Sequence, residues 1–360
     1  MAFTLLCLPT LTIHAADADA QGVLAKDVVA ELTAAGFPRY FVPARWGGLS
    51  DGYAELFAAA AAAAECCASA AWCAVLWAMH GKYAARLPEG GQEEIWGTSP
   101  DARISAAVVP PAGSVRPVPG GWSVSGRWEF ASGIEHAQWV LLGARRTDAE
   151  EIRVCAVPSA ELEIERSWNA VGLRASASHG VVARDLFVPD QRSMTFEQMT
   201  RALPSAQQPR RHAVPAHLFG GPLLASVALG AARAAVAGWT DAALSGGGAL
   251  DGAAAQSLAR SAGEVAAAGL LLAAAAARAD SGPLDEAAAA LTWRDAAVGV
   301  GILVDGVDRL LRTGGTPARG ADGPFHRAWR DVHTVAAHGV LRLGPAAAAY
   351  ARALPPRTGR

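Results

Sequence analysis

Trp122-Ser123-Val124-Ser125-Gly126-Arg127-Trp128-Glu129-Phe130 sets Trp122, Val124, Gly126, Trp128 and Phe130 in alternation with Ser123, Ser125, Arg127 and Glu129. A period of two puts successive side chains on opposite faces of an extended chain, so this stretch reads as a β-strand with one buried face. Moving outward, further strand candidates lie at Trp139 to Ala144, Ile152 to Val157, Leu162 to Arg166 and Gly180 to Val188, with turn residues at short intervals between them. On the N-terminal side, Ala15 to Ile104 is Ala-rich with helical spacing, interrupted at Gly36-Phe37-Pro38 and again from Pro43 to Gly52. On the C-terminal side, a polar stretch from Gln191 to Pro215 leads into long Ala-rich helices that run to Leu311, and a last helix is expected from Phe325 to Leu343. Helices, then strands, then helices is an α+β order rather than the alternation that builds a parallel sheet. The expected division is 1–105 helical, 106–190 a β-domain and 191–360 a helical bundle.

The 360 residues are 52% hydrophobic and 18% charged, enough for a large shared core. The 31 basic residues are offset by 33 acidic ones without a basic run, which argues against nucleic acid and against anionic membranes as partners. Cys7, Cys66, Cys67, Cys73 and Cys155 have no metal-ligand spacing and read as reduced thiols, which makes a cytoplasmic location the expectation. The apolar start, Phe3 to Ile13, lacks a basic n-region and is interrupted by Pro9, so it is not read as a secretion signal. Charged residues such as Glu65, Arg260, Glu264 and Arg278 break the Ala-rich runs, and no membrane-spanning window is expected. The sequence has no dinucleotide-binding G-x-G-x-x-G after a strand, no P-loop and no G-x-S-x-G elbow.

Gly126-Arg127-Trp128-Glu129-Phe130-Ala131-Ser132-Gly133-Ile134-Glu135-His136-Ala137-Gln138-Trp139 resembles the flavin-contacting strand of the acyl-CoA dehydrogenase superfamily, and most of all its two-component (group D) flavin-dependent monooxygenase branch. Gly36-Phe37-Pro38 through Gly47-Gly48, Trp168 through Ser176, Val188-Pro189, Leu229 through Arg233, and Arg327 through His338 resemble other family segments, in family order over roughly residues 30 to 345. The resemblance implies an N-terminal helical domain, a middle β-barrel-like domain and a C-terminal four-helix bundle. Two departures set the chain apart from the dehydrogenases. Val108-Val109-Pro110-Pro111-Ala112-Gly113-Ser114-Val115 stands where they carry a Thr-Glu-Pro run followed by Gly-Ser-Asp. Gly339 stands where many of them carry the catalytic glutamate that takes the substrate's α-proton, and glycine has no side chain to do so.

The implied chemistry is oxygen activation by a reduced flavin through a C4a-hydroperoxyflavin, which needs a dry pocket, a hydroxyl near the flavin N5 and an acid/base group working near neutral pH. By resemblance, Ser132 is the hydroxyl and His338 the acid/base group; Trp128, Phe130, Ser132 and Trp168 line the flavin, and His80 borders the substrate. Read without the resemblance, Ser132 is an ordinary turn serine and His80 a helix-terminal histidine bonded to the last carbonyls. Helical spacing places Arg327, Asp331, Thr334 and His338 on one stripe, with Arg330 and Asp331 read as structural, and His333 about 140° away from His338. His136, His179, His212 and His217 read as surface or structural, and no metal site is expected.

Ser245-Gly246-Gly247-Gly248-Ala249-Leu250-Asp251-Gly252 stands where FAD-tight relatives carry an arginine that reaches a neighbouring subunit's pyrophosphate. That departure favours a diffusible reduced FMN or FAD, supplied by a separate NAD(P)H-dependent flavin reductase. The resemblance further implies a homotetramer or homodimer and a small aromatic or polyketide-like substrate of secondary metabolism. The alternatives are a dehydrogenase or oxidase with its base elsewhere, such as Glu264 or Asp295, and a catalytically silent binding subunit.

Overall fold

The computed structural model describes residues 9–49, 51–201, 209–245, 250–313 and 323–354. Its N-terminal helices are α1 (Pro9–Gln21), α2 (Lys26–Ala34), α3 (Tyr53–Cys66), α4 (Ala68–Ala84) and α5 (Glu89–Trp96). Alanine gives α3 and α4 high helix propensity and lets neighbours approach closely. α4 is consequently buried almost all round, from Ala68 to Lys82 without a break. α1 joins the same core through Leu11, Ala15 and Ala18. Residues 1–8, with Cys7 and most of the apolar start, lie outside the described residues.

The strands are β1 (Ile104–Ala107), β2 (Ser114–Val118), β3 (Gly121–Ala131), β4 (Trp139–Arg146), β5 (Ile152–Pro158), β6 (Glu163–Glu165), β7 (His179–Pro189) and β8 (Ser193–Thr195). They form one sheet in the order β6-β7-β3-β2-β4-β5-β8, with β1 laid parallel along β4. Among the described residues no ladder joins β6 to β8. Trp122, Val124 and Trp128 of β3 pack with Val115, Val140, Leu142, Cys155, Val157 and Val181 into a core of the sheet's own. The sequence reading missed β1, β2 and β8, of four, five and three residues, while the equally short β6 (Glu163–Glu165) falls within the expected Leu162 to Arg166. The sheet therefore starts at Ile104, ahead of the expected border at 106, and takes up Ser193–Thr195 beyond the expected border at 190.

After the short helices α6 (Phe196–Thr200) and α7 (Arg210–Ala213) come the long ones, α8 (Ala216–Leu244), α9 (Gly252–Ser281) and α10 (Glu286–Thr313). α11 (Pro324–Ala336) and α12 (Leu343–Ala353) complete the described chain. Two expectations fail here. α8, α9 and α10 are each long and apolar enough to cross a membrane, contrary to the sequence reading, because one or two charged residues per window do not cancel so much alanine and leucine. Within the protein that apolar surface is used for packing, most completely in α8, where 83% of the window is buried. The final helix does not run from Phe325 to Leu343. α11 stops at Ala336, and His338 is extended (φ −63°, ψ 134°) ahead of a 3-10 turn at Gly339–Leu341. Ala337 caps the helix and Gly339, two residues on, opens the 3-10 turn.

Candidate functional site

At its C-terminal end β3 loses register with β7 between Trp128 and Ala131. Before this irregularity, Trp128 points into the sheet core, 1% exposed, and its Nε1 donates to Gly143 O at 2.7 Å. The indole lies where only glycine fits: a Cβ on Gly113 would meet it at 2.6 Å and one on Gly126 at 2.9 Å. Trp128 is therefore a core residue, and the expectation that it lines the flavin is corrected. Phe130, two residues on, adopts φ 64° and is 64% exposed. A left-handed phenylalanine with its ring in solvent is strained and poorly hydrated, a combination that concentrates where a ligand is to be met. Its ring meets Trp168 edge to face, with centroids 6.2 Å apart.

Ser132 follows, tied by its backbone N–H to Phe130 O at 2.9 Å. Its side chain is not that of a free turn serine. Trp72 Nε1 donates to Ser132 Oγ at 3.2 Å, Ser132 Oγ bonds Ser178 Oγ at 2.7 Å, and Ser178 Oγ bonds Ser176 Oγ at 2.8 Å. All three serines are buried, so the hydroxyls form a row in which protons are shared rather than exchanged with bulk water. Ser105 Oγ of β1 donates to Ser132 O at 2.9 Å and fixes the backbone from the other side.

Trp72 is the hinge of the site, for its ring also meets His338 edge to face, with centroids 5.6 Å apart. Ser132 and His338, 206 positions apart in the numbering of the chain, are thus joined through one indole. His338 keeps solvent-accessible surface although crowding by protein pushes its pKa below the ordinary histidine value. Because Val340 N–H donates to His338 Nδ1 at 3.3 Å, the neutral ring carries its proton on Nε2. The proposed polar stripe dissolves: His338 is off the helix, Thr334 Oγ1 donates to Arg330 O, and Asp331 is buried against Leu173.

His80 sits inside α4 rather than at its end, and its Nδ1 lies 2.8 Å from Ile104 O of β1. A carbonyl only accepts, so Nδ1 holds the proton and Nε2 is left as an acceptor. Burial depresses the His80 pKa to about 4, outweighing the bond to Ile104, and the ring stays neutral near pH 7. His80 thus presents an acceptor nitrogen and His338 a donor, though among the described residues no hydrogen bond or ring contact joins His80 to the Ser132–Trp72–His338 set.

Trp168 is half-buried, its Nε1 donating to Leu173 O at 3.0 Å and its backbone N–H to His179 Nδ1 at 3.1 Å. His179, read as surface or structural, is thereby a support for the site. Trp72, Ser176 and Ser178 were missed as well. The Ser176-Ala177-Ser178 spacing was the available signal, whereas nothing distinguished Trp72 from its apolar helix neighbours. Glu264 and Asp295 do not reach this region. Glu264 is held by Arg260 and Arg309, whose hydrogen bonds outweigh the upward push of burial and keep its pKa low; Asp295 is bound by Arg278 and Arg294. Among the described residues no group of three or more His, Cys, Asp or Glu is placed to hold a metal ion. Residues 246–249 of the segment compared with the FAD-binding arginine motif lie outside the described residues.

A flavin presents a flat apolar ring with hydrogen-bonding atoms along one edge. The exposed Phe130 ring, the Trp168 face and the adjoining serine row are the donor set and apolar surface that such a group requires.

Comparison with known proteins follows the same line. Residues 223–343 match the acyl-CoA dehydrogenase C-terminal domain family. Over 196 residues, 54% of this chain and 51% of the relative, the sequence is 32% identical to the oxygenase subunit HsaA of a flavin-dependent monooxygenase from Rhodococcus jostii (strain RHA1). It is 34% identical over 225 residues, 59% of this chain and 54% of the relative, to the oxygenase component of an FADH2-dependent resorcinol hydroxylase from Rhizobium sp. (strain MTP-10005). The chain spans about half the length of these curated relatives in the matched regions. Among solved structures, XiaF from Streptomyces sp., in complex with FADH2 and glycerol, superposes with a TM-score of 0.89 at 26% identity, covering 98% of this chain and 94% of that one.

Proposed function

We propose that the chain, similar to the acyl-CoA dehydrogenase C-terminal domain over residues 223–343 and to oxygenase components of two-component flavin-dependent monooxygenases, belongs to that superfamily and is itself the oxygenase component of such a pair. Its substrate is a small aromatic or polyketide-like molecule, hydroxylated with reduced FMN or FAD and O2, in secondary metabolism. The observation that carries the reading is the joining of Ser132 and His338 through Trp72, beside the exposed Phe130 and Trp168. A bound reduced flavin would supply the activation of O2; the remaining roles fall to the chain's own side chains. Phe130 and Trp168 hold the ring and Ser132 meets its polar edge from a hydroxyl row closed to bulk water, which guards against early loss of peroxide. His80 Nε2 would accept the O–H of a phenol and orient it, while the Nε2–H of His338 would donate a proton to the O2-derived oxygen that is not transferred and leaves as water. Gly339, with no carboxylate, leaves the site without the usual dehydrogenase base.

The reduced flavin comes from a separate NAD(P)H-dependent reductase, and the chain works in the cytoplasm as a homotetramer or homodimer. The exposed face of α9, with Leu270 76% exposed, supports a covered interface. In this reading the chain divides near residues 105 and 190, and the flavin lies between the β-domain and the helices.

The test is turnover with FADH2 or FMNH2 from an unrelated reductase, a panel of phenols and 18O2. One 18O atom in the product supports the proposal, and His338→Ala is expected to cut the rate about 10²–10⁴-fold, as for loss of a general acid/base. Tightly held oxidised FAD that an acyl-CoA reduces would indicate a dehydrogenase instead, and absence of any flavin binding a silent binding subunit.

A further inference from the structure

The segment from Trp168 to Ser178, between β6 and β7, carries one aromatic and two of the three hydroxyls of the site, yet it lies outside any β-ladder. What holds it is α11. Leu173 N–H donates to Asp331 Oδ1 at 2.6 Å, Arg330 Nε donates to Val171 O at 2.8 Å, and a Cβ on Gly172 would lie 2.3 Å from Arg330 O. The loop backbone therefore rests directly on the helix backbone, with Asp331 only 5% exposed beneath it. Arg330 also pairs with Asp19 of α1, whose backbone O accepts from Arg174 Nε at 2.8 Å, so a second helix closes the joint. Leu173 (φ 48°) and Ala177 (φ 43°) are both left-handed without being glycine. Such conformations persist only where surrounding bonds impose them.

From Leu173 the constraint reaches the site through a single carbonyl. Leu173 O accepts from Trp168 Nε1 and from Ser176 N, each at 3.0 Å. Trp168 then meets Phe130, and Ser176 leads through Ser178 to Ser132. We propose that Asp331 is a positioning residue: through Leu173 N–H it fixes the 168–178 segment and thereby sets the Trp168 wall and the serine row that receive the flavin. The inference rests on the flavin reading above and extends it to a residue that touches neither flavin nor substrate.

Asp331→Asn keeps an oxygen that accepts from Leu173 N–H, whereas Asp331→Leu removes it. In hydrogen–deuterium exchange of the flavin-free protein, amides of 168–178 are expected to exchange about tenfold faster in Asp331→Leu and at nearly the original rate in Asp331→Asn. The dissociation constant for FMN or FAD, read by absorbance titration, is expected to follow the same pattern. Gly172→Ala, which pushes the loop off Arg330 O and leaves Asp331 intact, is expected to reproduce the fast exchange and serves where Asp331→Leu does not fold. Unchanged exchange in Asp331→Leu or Gly172→Ala, or Asp331→Asn behaving like Asp331→Leu, overturns the proposal. If the unmodified protein binds no flavin, the functional reading fails while the exchange comparison still decides whether Asp331 holds the loop.

Discussion

Trp128 and Phe130 stand two residues apart on one strand, and strict alternation would give them the same surroundings. One is sealed in the sheet core and bonded to Gly143 O; the other is turned into solvent at φ 64°. Between them the β3–β7 register breaks. The difference teaches that the proposed site begins where regular structure ends: the ladder up to Trp128 supplies rigidity, and the irregular segment from Phe130 to Gly133 supplies the groups assigned to the flavin in the proposal. Stability and ligand binding should therefore separate between the two aromatics.

The largest effect expected is on folding. Trp128→Ala should cost about 3–5 kcal/mol, as for removal of a buried aromatic, and should lower the denaturation midpoint in the absence of any flavin. If Trp128→Ala instead left stability intact and abolished only flavin binding, the division between core and site would be wrong.

Acid sharpens the same contrast at His80. Its folded pKa is about 4, against about 6.5 in an unfolded chain, so between those values the unfolded state binds a proton that the native state refuses. Stability must then fall as pH drops through that window, by about 3 kcal/mol in all. His212, pushed down to about 3 chiefly by burial and then by the neighbouring Lys82, Arg211 and Arg86, acts in the same direction. Asp331, raised by burial to about 7, acts in the opposite one, its contribution complete in acid and lost as pH rises toward 7. The His80 share is isolated by comparing the unfolding free energy of the unmodified protein and His80→Gln from pH 7 to pH 4; parallel curves would contradict it.

Ser132→Ala should be milder for folding, about 1–3 kcal/mol, because it leaves Trp72 Nε1 and Ser178 Oγ short of a buried partner. Its main expected consequence is uncoupling, measured as hydrogen peroxide released per NADH consumed. The smallest folding effect belongs to Phe130→Gly, which removes the left-handed strain and is expected to leave stability unchanged or raised by about 1 kcal/mol while weakening flavin binding. A loss of stability like that of Trp128→Ala would erase the comparison.

The sequence made the layout legible wherever periodicity had room to show. The long strands β3, β4, β5 and β7 and the helices α8, α9 and α10 fall where alternation and alanine-rich spacing placed them. The short strands β1, β2 and β8 were missed, and α11 was extended too far because helical spacing was carried to Leu343 past its end at Ala336. Ser132, Phe130, Trp168, His80 and His338 were named through the family resemblance rather than through periodicity, and the structure places Ser132, His338, Phe130 and Trp168 in one connected set. Trp128 was assigned to the flavin through the resemblance of its segment, which does not reveal the register break between it and Phe130. Trp72 was missed because its role is a long-range hydrogen bond, which local sequence does not encode, whereas Ser176 and Ser178 carried a local signal in their spacing that was not used.

The most direct test of the central claim is to mix the protein, loaded anaerobically with FADH2 or FMNH2, with oxygen in a stopped-flow spectrophotometer. A transient flavin–oxygen adduct that decays more slowly than free flavin reoxidises, and is shortened in Ser132→Ala, is the predicted result. Reoxidation at the rate of free flavin, the same in both proteins, would contradict the assignment of this site to oxygen activation.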